Sequence, residues 1–330
     1  MQEVNVMKRQ VVERATRLGR VKGFERLGVE TYRGLRYATS QRFRASTLDE
    51  TPWSGTRDAT RHGAIAMQGP ISAVVYGPAP EASCAEDCLF LNIHTPAGVS
   101  RDAKKPVIVF IHGGSFGGGS GSCYDGTALS SGADAVVVCI NYRLGVFAGF
   151  DLDWLGTKHD GGGQLWLGDQ INSLRWIRDN IADYGGDPAR VMIIGESAGG
   201  VSVAALCAAP AAAGLVHRAV ACSTGYMPQE PSRDALGAVA KARKCSRDVA
   251  LAWMQAASSA ELLAQQGVGP VPVAGTPLLP GTMEELIAAR GAQAVPMIAG
   301  YATHEGVAIE VMAKASTRLP GVVISVIAHM

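Results

Sequence analysis

Ser197 has the clearest chemical potential in the sequence, because it stands at the centre of the pentapeptide GESAG, residues 195–199. The apolar run VMII precedes this pentapeptide, and small residues typical of a closely packed helix follow it. In such a strand, turn and helix context, G-x-S-x-G predicts a sharp turn that exposes the serine hydroxyl for nucleophilic attack. The flanking glycines let strand and helix approach, and the helix N-terminus adds N–H donors and positive potential. We therefore predict that Ser197 is a nucleophile.

A second motif, HGGSFGGG at residues 112–119, follows the apolar run VIVFI. A serine that attacks an acyl carbon needs N–H donors for the oxyanion that forms there, and HGG-type loops supply such donors in esterases and lipases. We expect the backbone N–H groups of Gly114, Ser115 and Ala198 to be these donors. The glycines fit neither GxGxxG nor GxxxxGK[ST], which argues against a nucleotide-binding loop.

The elements that must position these residues show a change of pattern near residue 100. Before it, short segments punctuated by turns indicate small antiparallel strands: VKGF, VETYRGLRYA and LFLNIHTP. From Lys105 onward, apolar runs alternate with helical periodicity: VIVFIH, AVVVCINY, VMIIG, AVACST and VPMIAG, with helices from about Asp169 to Asp183 and from about Ala198. This alternation predicts an α/β fold with a mostly parallel central sheet, helices on both faces and an N-terminal antiparallel extension.

Composition narrows the class of protein. A chain of 330 residues that is 47% apolar and 18% charged can bury a large core, and its net charge of +1 gives no electrostatic reason to expect nucleic acid or an anionic membrane as partner. The N-terminal segment lacks the uninterrupted apolar stretch of a secretory signal, and the run VVISVIA is too short to span a bilayer. These features predict a cytoplasmic protein without a membrane partner.

Seven cysteines without a CxxC spacing are expected to be free thiols in such a compartment. Cys84 and Cys88 are close enough in sequence to form a disulfide if the protein were oxidised. Several of the others lie in apolar segments and are expected to pack as small hydrophobic residues.

The sequence resembles the type-B carboxylesterases, a family of α/β-hydrolases that includes the cholinesterases and bacterial p-nitrobenzyl esterases. The resemblance is carried by these segments, in order: FERLGVETYRGLRYA, PWSGTRDAT, AEDCLFLNIHTP, KPVIVFIHGGSFGGG, INYRLGVFAGF, GDQINSLRWIRDNIADYGGDPARVMIIGESAGG, GLVHRAVACSTG and VPMIAGYATHEG. It implies one α/β-hydrolase domain over residues 1–330, with residues 1–100 as the antiparallel portion and 101–330 as a catalytic core that lacks the usual C-terminal region.

The activity implied by the resemblance is hydrolysis of neutral carboxylic esters through an acyl-enzyme on Ser197, with no metal and no cofactor. The partner is then a small-molecule ester. Because the missing region shapes the acyl and alcohol pockets of the family, we expect an open site that favours short acyl chains.

The resemblance also places the triad acid at Glu305, in THEG after the run VPMIAG. A carboxylate there would hold the imidazole of the base in one tautomer and stabilise its cation. Ser223 matches a serine that the family places near the acid, and Gly113 and Glu196 are expected to support the site without taking part. His112 is expected to hold its loop by a hydrogen bond, and residues 141–143 are expected to be architectural.

The base is the open question, because family members carry it in an HG motif well beyond the acid, and no HG occurs here after His112. His329 would give the chain order Ser, acid, His if a helix VAIEVMAKAS and a strand VVISVIA follow Glu305. We predict His329 as the base. Two alternatives stay open. One is another histidine of the chain, although His62, His94 and His159 are expected in loops or surface strands. The other is a histidine lost with the C-terminal region, which would leave an esterase-like scaffold without its catalytic base.

Overall fold

The computed structural model describes residues 9–69, 83–149, 163–224, 235–264 and 272–303. Within these ranges the main sheet has ten strands, and two small two-stranded sheets lie beside it. The strands are β1 Gln10–Ala15, β2 Arg20–Arg26, β3 Val29–Arg36, β4 Ala38–Thr39, β5 Thr47–Leu48, β6 Thr56–Asp58, β7 Ile65–Ala66, β8 Cys84–Ala85, β9 Phe90–Pro96, β10 Lys105–Ile111, β11 Val136–Ile140, β12 Gly186–Glu196, β13 Arg218–Cys222 and β14 Met297–Gly300.

The main sheet has the order β1-β2-β3-β9-β11-β10-β12-β13-β14, with β6 paired to β2. From β11 to β14 every neighbouring pair is parallel, whereas β1, β2, β3, β9 and β11 pair antiparallel in turn. The parallel part contains the segments with near-continuous apolar runs, as expected for strands that are buried on both faces. The predicted parallel core with an N-terminal antiparallel extension is confirmed.

The helices pack along the parallel part and over the end of the described chain. They are α1 Thr127–Ala133, α2 Leu165–Asn180, α3 Ala198–Ala208, α4 Ala235–Arg243, α5 Arg247–Ala256, α6 Ser259–Leu263 and α7 Met283–Ala289. The helix predicted from Asp169 begins four residues earlier, because Leu165, Trp166 and Leu167 are also buried and extend its apolar stripe. It ends at Asn180 and continues as a 3₁₀ turn over Ile181–Tyr184.

The core is centred on the middle strands of the sheet. All five residues of β11 are buried, and so are Val107, Val109 and Ile111 of β10. Val136, Val138 and Ile140 pack with these β10 residues and with α2 and α3 in one large apolar cluster. Val137 and Cys139 face the other way and pack with Ile108 in a second cluster. A smaller cluster joins α4, α5 and α6 to Phe43 and Phe147. Strands β10 and β11 are therefore packed against apolar side chains on both faces.

The cysteines and the lengths of the helices bear on the expectations about disulfides and membrane spans. All seven cysteines lie in the described ranges and are free, with Cys84 exposed and Cys88 buried. No helix among the described residues is long and apolar enough to cross a membrane.

Candidate active site

The parallel strands end at one level, which gathers the candidate residues at one edge of the sheet. Ile111 of β10 is paired with Ile140 of β11 and with Gly195 of β12. On the other side of β12, Glu196 is paired with Cys222, and Cys222 with Gly300. Because the carboxyl ends of parallel strands face the same way, the loop 112–119, Ser197 and Ser223 all begin at this edge.

Ser197 connects β12 directly to α3 and has an unusual backbone conformation, with φ 55° and ψ −123°. Such a conformation costs on the order of 1–3 kcal/mol in a residue that is not glycine. Two hydrogen bonds hold it: Ser197 N–H donates to Cys222 O at 3.0 Å, and Ser197 O accepts from Val201 N–H at 2.9 Å. Ser197 as a whole residue is half-buried.

The glycines around this turn are needed for close approach, as the pentapeptide predicts. A Cβ atom on Gly195 would lie 2.3 Å from Gly199 O, and one on Gly199 would lie 2.1 Å from Ile111 O. Strand β12, helix α3 and strand β10 therefore touch through bare backbone at this point. The backbone on either side of Ser197 cannot move without separating these three elements.

The glycine loop runs against the Ser197 turn. A Cβ atom on Gly113 would lie 2.6 Å from Glu196 O and 3.2 Å from Ser197 Cβ. Next come three residues with positive φ, namely Gly114 at 116°, Ser115 at 52° and Phe116 at 53°. Gly114 is buried and Ser115 is exposed. The loop thus turns sharply beside the serine with its backbone close to the serine side chain.

Hydrogen bonds on the loop carbonyls set the direction of the N–H groups that follow them. His112 Nδ1 lies 2.8 Å from Gly113 O. Gly114 O accepts from the N–H groups of residues 117 and 118 at 2.9 and 3.0 Å. A trans peptide unit is planar, so its C=O and N–H point in opposite directions. A bonded carbonyl on Gly113 therefore fixes the N–H of Gly114, and a bonded carbonyl on Gly114 fixes the N–H of Ser115.

The N–H of Ala198, the third expected donor, is oriented in the same way. Ser197 O is held by Val201, and the peptide unit of Ser197 carries the N–H of Ala198 at the start of α3. Across the described ranges, the N–H groups of Gly114, Ser115 and Ala198 donate to no backbone or side-chain acceptor. These groups are thus oriented by the protein and left available to a ligand, which is what stabilisation of an oxyanion requires.

His112 occupies the position in which it was expected to hold the loop. Its side chain is buried, and burial lowers the pKa of its imidazole to about 4, so the ring is neutral. A neutral ring that donates from Nδ1 to Gly113 O has Nε2 as an acceptor, and Nε2 is buried without a partner among the described residues. The ring stacks on Tyr142 at 4.4 Å between centroids, and Tyr142 Oη donates to His112 O at 2.7 Å.

Phe116 anchors the middle of the loop, although we did not predict a role for it. The side chain is fully buried and lies 4.7 Å from Trp166 between ring centroids. Its carbonyl accepts a hydrogen bond from Gly145 N–H at 2.6 Å. The signal in the sequence was a single large apolar residue among glycines, which indicates a side chain that pins an otherwise soft loop.

The remaining expected site residues divide into those inside and outside the described ranges. Glu196 is exposed, and its Oε2 would lie 2.9 Å from a Cβ on Gly113, so the carboxylate flanks the loop. Ser223 has φ 51°, and its N–H donates to Gly300 O at 2.8 Å. Glu305 and His329 lie outside the described residues, and their roles stay predictions.

Two histidines that could have been alternatives for the base lie elsewhere. His94 was expected in a loop or surface strand, and this was wrong: it is buried on β9, opposite Val137 near the start of β11. His217 lies just before β13 and accepts from Val191 N–H at 3.2 Å. Both are therefore near the amino ends of the parallel strands, away from Ser197.

Arg143 has the architectural role that was expected of residues 141–143. Its guanidinium donates two hydrogen bonds of 2.7 Å to Asp169 on α2, and a third bond to Arg44 O. Both members of this ion pair are buried. Among the described residues, no cluster of three His, Cys, Asp or Glu side chains is placed to hold a metal ion.

Comparison with known proteins identifies relatives of this arrangement. Residues 10–322 match the model of the carboxylesterase family. Human cocaine esterase is 37% identical over 298 residues, which are 84% of this chain and 52% of that protein. Para-nitrobenzyl esterase of Bacillus subtilis is 41% identical over 212 residues, 62% of this chain and 42% of that protein.

Solved structures give the same result for the fold. A thermophilic PNB esterase superposes with a TM-score of 0.79 at 31% identity, covering 91% of this chain and 64% of that chain. A carboxylesterase from Geobacillus stearothermophilus gives 0.78 at 32% identity, covering 93% and 64%. These likenesses confirm the predicted α/β-hydrolase fold. The chain spans about half the length of the curated relatives that it matches over most of its own length. It belongs to the carboxylesterase family.

Proposed function

We propose that this chain hydrolyses neutral carboxylic esters through an acyl-enzyme on Ser197. The observation that carries the proposal is the strained turn at Ser197, which packs against the loop 112–119. Within the described ranges the backbone N–H groups of Gly114 and Ser115 in this loop are oriented and donate to no protein acceptor. The names of its relatives, cocaine esterase and para-nitrobenzyl esterase, are those of ester hydrolases and support the same reaction class.

The reaction has two halves that use the same groups. Ser197 Oγ attacks the acyl carbon while the base takes its proton, and the carbonyl oxygen becomes an oxyanion beside the N–H groups of Gly114, Ser115 and Ala198. Collapse of this intermediate breaks the ester C–O bond, and the alcohol leaves with the proton. Water then attacks the acyl-enzyme in the same way and releases the carboxylic acid. Removal of one oxyanion donor from a serine hydrolase lowers kcat by about 10²- to 10³-fold.

Glu305 and His329 complete the proposed triad. The last described strand, β14, ends at Gly300, whose neighbour in the sheet is Cys222. The chain therefore leaves β14 at the edge where Ser197 lies, and Glu305 follows five residues after Gly300 in sequence. In this proposal Glu305 orients and stabilises the imidazolium of His329, which transfers the proton in both halves of the reaction.

The proposed substrates are small esters with short acyl chains. Ser115 is exposed, so the donor side of the proposed site is open to solvent among the described residues. Rates with p-nitrophenyl acetate, butyrate and decanoate test this part of the proposal. We expect the butyrate or acetate to be hydrolysed fastest, and a clear preference for decanoate would contradict it.

The central experiment compares the purified chain with Ser197→Ala and His329→Ala on p-nitrophenyl butyrate. Ser131→Ala, at an exposed serine of α1, is the matched control. Removing the nucleophile or the base of such a triad costs on the order of 10⁶-fold in turnover. We expect this loss in Ser197→Ala and in His329→Ala, and none in the control.

Three other results would contradict parts of the proposal. If only Ser197→Ala is inactive, the base is another histidine and the assignment of His329 is wrong. If the parent chain is no faster than Ser197→Ala, the proposed activity is refuted for this chain. Labelling with an organophosphonate, followed by mass spectrometry, must find the adduct on Ser197; an adduct on another residue would contradict the mechanism.

A further inference from the structure

The end of the glycine loop is held by a side chain from a distant part of the sequence. Gln68 Oε1 accepts from Gly119 N–H at 3.0 Å, and Gln68 Nε2 donates to Gly119 O at 3.0 Å. The same Nε2 donates to the carbonyl of Ala66, two residues earlier in the chain, at 3.1 Å. Only one orientation of the amide satisfies all three bonds, because its oxygen must accept and its nitrogen must donate. Gln68, two residues after the end of β7, therefore clamps both polar backbone groups of Gly119.

Gly119 has little room at the place where it is clamped. It has φ 99°, and a Cβ atom on it would lie 2.6 Å from Gly113 O and 2.6 Å from His112 Nδ1. This carbonyl and this ring nitrogen form the hydrogen bond that fixes the N–H of Gly114. The clamped glycine thus packs directly on the bond that orients the first proposed oxyanion donor.

A second connection leads from the clamp to Ser115. The N–H of Gly119, which Gln68 binds, shares its peptide unit with the carbonyl of Gly118. Gly118 N–H in turn donates to Gly114 O at 3.0 Å, and the peptide unit of Gly114 carries the N–H of Ser115. Ser115 and Phe116 both have positive φ, a backbone conformation that residues other than glycine rarely adopt. A loop strained in this way needs a restraint at its far end to keep its shape.

We propose that Gln68 is a positioning residue that holds the oxyanion donors of Gly114 and Ser115 in their reactive orientation. The inference rests on the proposed function, and it adds a residue that contacts neither the substrate nor Ser197. The donors are required when charge develops on the carbonyl oxygen, so loss of the clamp lowers kcat and leaves KM nearly unchanged. A misplacement of about 1 Å costs up to about 100-fold in rate, and we expect a kcat loss of about 10- to 100-fold.

The test variant is Gln68→Met, which keeps the length of the side chain and removes the amide. Gln164→Met is a matched control, because Gln164 forms the same two-bond clamp on the backbone of Val273, at 3.1 Å for each bond. Each variant is measured for kcat and KM on p-nitrophenyl butyrate and for inhibition by a trifluoromethyl ketone, whose adduct on the serine bears an oxyanion. Hydrogen exchange of peptides that cover residues 112–120 and the thermal midpoint are also measured.

We expect Gln68→Met to lower kcat, to weaken inhibition by the ketone to the same extent and to speed exchange over residues 112–120. Gln164→Met should lower the thermal midpoint by a similar amount without these changes. If exchange speeds up in Gln68→Met while an active enzyme keeps its kcat, the proposal is overturned. If the parent equals Ser197→Ala in rate, the proposed function fails. Exchange then decides this proposal: faster exchange supports the clamp, and unchanged exchange overturns it.

Discussion

Substitution of Gly199 by alanine tests the idea that the active-site turn depends on direct backbone contact between three elements. The new Cβ would lie 2.1 Å from Ile111 O and 3.0 Å from His112 O, both on the backbone of the β10 end. A neighbouring side chain could rotate away, but these atoms belong to a strand with hydrogen-bonded neighbours on both sides. The clash can therefore be relieved only by moving α3 away from β10.

The size of the effect follows from that distance. Ordinary contacts of Cβ atoms begin near 3.4 Å, so the 2.1 Å contact requires a shift of about 1 Å. Overpacking of a rigid core costs about 1–3 kcal/mol, and we expect a loss near 3 kcal/mol because the contact is with backbone. Ser197 and Ala198 immediately precede Gly199 and would move with it. A displacement of about 1 Å at a reacting group lowers the rate by about 100-fold.

The assay pairs urea unfolding with kcat on p-nitrophenyl butyrate for the parent chain and Gly199→Ala. Gly132→Ala is the control, because Gly132 is an exposed residue of α1 with nothing within 4 Å of the added Cβ. Alanine is the better helix former, so the control should gain about 0.5–1 kcal/mol and keep its rate. The reasoning is refuted if Gly199→Ala matches the parent in both its free energy of unfolding and its kcat.

Two further predictions concern stability. Arg143→Met leaves the buried carboxylate of Asp169 without its partner and should lower the free energy of unfolding, measured with urea, by about 3–5 kcal/mol. The double variant with Asp169→Leu should recover most of this loss, and Arg178→Ala, in an exposed ion pair, should change the free energy by no more than about 0.5 kcal/mol. Equal losses in the single and double variants would contradict the role of the ion pair. Burial lowers the pKa of His94 and of His112 to about 4, whereas the pKa of a histidine in the unfolded chain is near 6.5. Between about pH 4 and about pH 6.5 the unfolded chain therefore binds more protons than the folded chain, and the free energy of unfolding must fall as the pH drops through this range. His94→Asn should reduce this slope, measured as the free energy of unfolding against pH, by up to about 1.4 kcal/mol per pH unit, and an unchanged slope would show that His94 is not buried in its neutral form.

The parts of the fold that repeat a simple pattern could be predicted from the sequence. The apolar runs of the parallel strands and the GESAG turn lead directly to β10, β11, β12 and α3, because strands buried on both faces must be apolar throughout. The start of α2 was placed too late, since Gly168 interrupts the apolar stripe that Leu165 begins.

The buried polar residues were not predictable in the same way. His94, in the segment LFLNIHTP, was wrongly expected in a loop or surface strand. In the fold it lies on a strand between β3 and β11, where its Nε2 accepts from Gly126 N–H and its Nδ1 lies 3.2 Å from Thr31 Oγ1. Hydrogen-bond partners of this kind come from distant segments, so no local sequence pattern predicts them.

The candidate site was likewise predictable from the sequence only in part. The N–H donors follow from local motifs, whereas the clamp by Gln68 depends on a contact across 51 residues that no motif encodes. The roles of Ser197 and the donors, the assignments of Glu305 and His329, and the organisation of residues 1–330 as one domain stay predictions for the experiments above.

The strand order also determines when the site can form during synthesis. Strand β10 needs β12 as its neighbour, and the pairing of Ile111 with Gly195 joins residues that leave the ribosome several seconds apart at about 5–20 residues per second. During that interval the nascent chain carries the apolar strand VIVFI with one edge unpaired, a form that invites association with other chains. Slower translation between residues 111 and 195 would lengthen this exposure, so the yield of folded protein should depend on the speed of that stretch and on chaperones that cover the edge.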